Sequence, residues 1–183
     1  MYTVLFERGL EKEAKTVRNA LRKVYGVKCA TEESDLSGLL RWGKILGGYV
    51  IRRTKKFKNK IALTKKELFP YGSKSKADDW IFGYSTNQKS FIISVKRLKS
   101  DPKLYRKRLE SIAVHELGHW LVKHTKHYKL FVWVNPKTGH RLNLGMHCMD
   151  KRCVMSQTVD IRQLDAHLKN AYKGYFCKKC RPK

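Results

Sequence analysis

Residues 115–119 read His-Glu-Leu-Gly-His. Two histidines four apart on a helix differ by about 40° of rotation, so both imidazoles project from one face and can share a metal ion. Glu116 is offset by about 100°, near enough to meet a metal-bound water without ligating the metal. Zinc lowers the pKa of such a water to about 7, and a carboxylate can take its proton as it attacks a carbonyl. Chance alone places this short motif in ordinary helices, so its setting decides. Asp101 can cap a helix and Pro102 suits its first position. The pattern then runs without a breaker to about His124, a rod of roughly 30 Å.

Catalytic zinc usually takes three protein ligands plus water. His124 falls on the opposite side if the helix continues and His127 is rotated by about 120°, so both read as surface residues. His147, directly before Cys148, is the better third ligand. Cys29 stands alone in a strand-like segment and reads as a buried spectator. The other four cysteines, Cys148, Cys153, Cys177 and Cys180, fall late in the chain as two close pairs with metal-ligand spacing. Glu7 and Arg8 interrupt the only apolar run of residues 1–10, which is no secretory signal. The expected compartment is therefore cytoplasmic, where zinc is favoured over disulfides.

Strand patterns are expected at residues 2–6, 27–30, 60–64, 80–84 and 91–95, and helices at 11–25 (closed by Gly26), 36–51, 101–124 and 159–172. Early alternation of helix and strand points to an α/β (α+β) chain whose sheet is mixed, mostly parallel and covered by helices.

A length of 183 residues suits one domain with its own core. No stretch is apolar enough to cross a bilayer, so no membrane partner is expected. The net charge of +26 is densest at Arg52, Arg53, Lys55, Lys56, Lys58 and Lys60. Such a field attracts nucleic acid or an acidic protein, or else it is a lysine-rich solvated surface.

Residues 147–155, His-Cys-Met-Asp-Lys-Arg-Cys-Val-Met, followed by Cys177-Lys178-Lys179-Cys180, resemble the archaemetzincin family. Its signature joins a HExxH helix to a third His, an adjacent Cys, a second Cys after four residues, a Met two further on, and a late CxxC pair. Residues 60–69, 80–83 and 94–98 resemble the family's strands before the active-site helix. The resemblance implies a zinc metallopeptidase with a metzincin-like twisted sheet, a long active-site helix and a small C-terminal subdomain. It implies two zincs per chain. His115, His119 and His147 would hold the catalytic one, with Glu116 as general base and acid. Cys148, Cys153, Cys177 and Cys180 would hold a closed structural one, and Met155 would form the Met-turn beneath the catalytic metal.

One segment departs from that pattern. The family has a glycine three residues after the second His, so that the third His follows almost at once; here that position is Val122, and 27 residues separate His119 from His147. Residues 128–134, a turn at 135–139 and a return at 140–144 read as an inserted β-hairpin. It either elaborates the substrate side, with His147 re-entering at the metal, or displaces His147. Residues 144–148 favour re-entry, because they keep the family's approach to its third ligand. The chain then divides into 1–119 with sheet and active-site helix, 120–146 as hairpin, and 147–183 as zinc-held subdomain. The expected function is peptide hydrolysis by a monomer acting on a peptide or protein. The alternative is a nucleic-acid-associated zinc protein with vestigial protease activity, in the manner of SprT-like proteins.

Overall fold

A computed structural model of the chain describes residues 1–37, 40–41, 44–46, 59–69, 80–85, 89–122, 127–135, 139 and 141–182. A five-stranded sheet is built from β1 (Tyr2–Phe6), β2 (Cys29–Glu33), β5 (Lys60–Thr64), β7 (Gly83–Ser85) and β8 (Phe91–Ser94), in the order β2-β1-β5-β8-β7. The first four strands are parallel and β7 is antiparallel to β8, so the mixed, mostly parallel sheet expected from the sequence is present. Among the described residues β7 is the edge strand on this side of the sheet, and it borders the site.

Side-chain alternation explains how the sheet is covered. Val4, Phe6, Ile61, Leu63, Phe91 and Ile93 enter the main core, while Leu5, Ala62 and Ile92 enter a smaller cluster with Leu36 and Leu68. Helix α1 (Glu11–Tyr25) buries Ala14, Val17 and Leu21 at helical spacing and ends on Gly26, whose φ of 66° is the left-handed cap a glycine supplies without strain. Cys29 lies in β2 and is only half-buried.

Helix α2 (Pro102–Leu121) starts as its capping residues require, with the Asp101 carboxylate accepting from the Lys103 N–H at 2.8 Å. From Arg108 to Gly118 nearly every residue of it is buried, the mark of a helix through the middle of a core. Arg108 is charged and buried, so it must be fully paired. It donates to Leu98 O at 2.8 Å, to Ser100 Oγ at 2.9 Å, and through two bonds of 2.7 Å to the Asp165 carboxylate. Asp165 lies on α3 (Ile161–Asn170), which the pair ties to α2.

The helix expected over residues 36–51 is replaced, where described, by two short strands. β3 (Leu40–Arg41) pairs antiparallel with β4 (Lys44–Leu46), and β4 runs parallel to β6 (Leu68–Phe69). Gly43 costs a helix interior about 1 kcal/mol, and pairing with a distant strand satisfies the backbone without it. The rest of that segment, the basic residues 52–58, the turn at 70–79 and His124 lie outside the described residues.

After α2 comes an antiparallel hairpin, β9 (Tyr128–Val134) and β10 (Arg141–Cys148), with a register shift between Asn143 and Met146. The return strand is longer than the sequence suggested and carries His147 and Cys148 within it. A second core gathers the four late cysteines with Met155, Tyr128 and Phe176. No helix among the described residues is long and apolar enough to cross a membrane.

Candidate functional site

A cleft of about 900 Å³ is lined by residues 80–85 at the sheet edge, by 141–145 and His147 of the hairpin, and by one face of α2. Inside it His115, His119 and His147 bring ring nitrogens within 4.8 Å of one another. The His115 and His119 Nε2 atoms are 3.2 Å apart, and the His147 ring stacks on that of His115 with centroids 5.2 Å apart. Residues 28 positions apart in sequence are thus drawn onto one point.

The tautomers say what that point can hold. His115 Nδ1 donates to Val154 O at 2.7 Å, and His147 Nδ1 to Gly145 O at 3.1 Å. In the neutral rings the Nε2 lone pairs are left to face the shared centre. Imidazoles anchored on carbonyls in this way are the usual arrangement of metal ligands. Burial pushes the His115 pKa down to about 4, which keeps that ring neutral. The residues present therefore fit a metal ion. The bulge in β10 contributes directly: Gly145 sits at φ 89°, its N–H bonds Asn143 Oδ1 at 2.9 Å, and its carbonyl orients His147.

Glu116 is 7% exposed. Ser85 Oγ lies 2.6 Å from Glu116 Oε2 and 2.9 Å from the Glu116 main-chain oxygen. Burial raises the carboxyl to about 7, and the Ser85 hydrogen bond opposes that rise. Such a value suits a group that must both take and return a proton near neutrality. Gly83 makes the room, because a Cβ there would collide with the Glu116 carboxyl. Met155 is fully buried and lies against Gly118, where any Cβ would strike its Sδ. The methionine thus packs under the helix segment that carries both motif histidines.

Cys148, Cys177 and Cys180 bring their Sγ atoms together with Nε2 of His127, all within 4.8 Å. Cys153 is fully buried beside Cys177 and Cys180. All five cysteines are free, and the 3.9 Å between Cys148 and Cys177 sulfurs is well beyond a disulfide bond. A crowded set of thiols with one imidazole suits zinc. His127 is not the surface residue its helical rotation predicted. It follows the end of α2, and its Nε2 is 3.1 Å from Cys180 Sγ, while the Tyr128 hydroxyl is 3.2 Å from the same sulfur.

Ser85, Gly83 and His127 escaped sequence reasoning. The strand around residues 80–84 was legible, but nothing in its pattern said that it faces Glu116.

No protein-family model and no curated protein matches the sequence. Two solved structures do match in fold. An archaemetzincin from Archaeoglobus fulgidus, complexed with malonate, superposes with a TM-score of 0.67 at 21% identity, over 98% of both chains. A zinc-dependent peptidase from Methanocorpusculum labreanum superposes with a TM-score of 0.65 at 17% identity, over 98% of this chain and 97% of the other. The chain has an archaemetzincin-like fold, with a His-lined cleft and a cysteine cluster that could hold metal.

Proposed function

We propose that the chain is a zinc metallopeptidase of the archaemetzincin family. The observation that carries this reading is the convergence of His115, His119 and His147 beside the buried Glu116 carboxyl in an open cleft. Zinc, when bound by the three imidazoles, supplies a Lewis acid that acidifies water and polarises a carbonyl. Glu116 takes the proton of the attacking water and returns it to the leaving amine, held in place by Ser85 and by the space above Gly83. β7, an edge strand among the described residues, borders the cleft, and an extended peptide would bind along it as an added strand. The cysteine cluster, with Cys148, Cys153, Cys177 and Cys180 as ligands, would hold a second, structural zinc, giving two per chain.

Glu116→Ala tests the mechanism. The variant is expected to keep its zinc and lose hydrolysis of a mixed peptide library by several orders of magnitude. Cleavage at the rate of the unaltered protein removes Glu116 from that role.

The +26 charge supports a second proposal, that a polyanion binds the surface. Association with duplex DNA that weakens steeply with salt would bear this out, and absence of binding at low salt would remove it.

A further inference from the structure

On the side of α3 the lining of the cleft forms a recess whose polar groups the hydrolytic scheme leaves unused. Ser111 lies about one helical turn before His115 on the same face of α2, roughly 6 Å along the helix axis, and lines the same cleft. α3 contributes Leu164 and His167 to its lining, and Ile112 joins them as an apolar wall.

Two side chains there are more than nine-tenths buried yet short of partners. His167 is 8% exposed, and its Nδ1 donates to Lys151 O at 2.9 Å. Its Nε2 has no partner among the described residues, nor is it sealed from the cleft. His167 and His115 line the same cleft. Ser111 is 4% exposed, and its hydroxyl likewise has no partner among the described residues while lining the cleft. Helix interiors usually turn such a hydroxyl back onto the preceding carbonyl or out to water. Here it faces the recess.

The hydrogen-bond inventory decides what fits. With the His167 Nδ1 proton committed to a carbonyl, the neutral ring presents Nε2 as an acceptor. Ser111 presents a hydroxyl that can donate. An apolar occupant would leave both unpaired in a desolvated space, and a carboxylate would bring no hydrogen to Nε2.

We infer that this recess is a specificity pocket, in which Ser111 and His167 select a substrate side chain carrying both a donor and an acceptor, foremost the amide of Asn or Gln. The inference rests on the peptidase reading. The walls of Ile112 and Leu164 would flank the methylene part of such a side chain, and His167 and Ser111 would meet its end. Arg108 and Asp165 tie α3 to α2, the two helices that carry these polar groups.

Cleavage-site profiling of the zinc-loaded protein on a peptide library tests it, with Glu116→Ala as background and with His167→Phe and Ser111→Ala as variants. At one position flanking the cut bond, Asn and Gln should be preferred over Leu and Glu by about tenfold or more. Each variant should reduce that ratio severalfold, and Ser111→Ala does so without touching the packing of α3. An apolar or acidic preference at every flanking position, or a ratio unchanged in both variants, overturns the pocket assignment while leaving a peptidase. No cleavage above the Glu116→Ala background overturns the peptidase reading and the pocket with it.

Discussion

His147 and Cys148 are neighbours on β10, and they face opposite ways into two different clusters. The His147 ring joins His115 and His119, while the Cys148 thiol joins Cys177 and Cys180. Successive side chains of a strand point to opposite faces, so one peptide bond separates the two candidate metal sites. The strand is pinned there by the hydrogen bond from Cys148 N–H to Met155 O at 2.9 Å. Whatever holds Cys148 therefore also holds His147.

Coupling of the two sites follows. Cys177→Ser should weaken the cysteine cluster and, through β10, lower zinc affinity at the histidine cluster by about tenfold. Competition with a chromogenic chelator reads each release step. Loss of the cysteine-held metal with no change at the histidines would show that the strand transmits nothing.

Gly83→Ala probes the Glu116 carboxyl in its proposed role. The added methyl would displace the Glu116 side chain rather than backbone, because the carboxyl is what it meets. Hydrolysis should fall by about 100-fold, given the cost of misplacing a reacting group by about 1 Å, with zinc content and melting temperature nearly unchanged. Unaltered turnover would mean that Glu116 can work from another position.

His127→Ala probes the junction between the hairpin and the cysteine cluster. Groups that support a metal site are worth about 10- to 100-fold in affinity, and His127 Nε2 at 3.1 Å from Cys180 Sγ is placed to act as such a group or as a ligand. Zinc release from the cysteine cluster should quicken accordingly. Release at the original rate would reduce the contact to packing.

Much of this site was legible in the sequence because its chemistry is local. The His115-Glu116-His119 spacing needs only a helix, and Asp101 with Pro102 announced where that helix begins. Pair spacing drew attention to Cys148, Cys153, Cys177 and Cys180, of which Cys148, Cys177 and Cys180 gather their sulfurs with His127. Ser85 lies 31 residues from Glu116 and His127 lies 53 from Cys180, so only the fold brings each pair together. His127 was misplaced because its rotation was projected along a helix that ends at Leu121. Residues 36–51 misled for a related reason: a helix interrupted at Gly47-Gly48 was expected, whereas β4 pairs with β6, a partner no local pattern reveals.

The central claim is that His147, despite the inserted hairpin, completes a zinc site with His115 and His119. Native mass spectrometry of the full chain beside His147→Ala measures this directly. Two zincs in the unaltered protein, with one lost on substitution, is the result this account predicts. A single zinc in both proteins would contradict it, leaving metal at the cysteines alone.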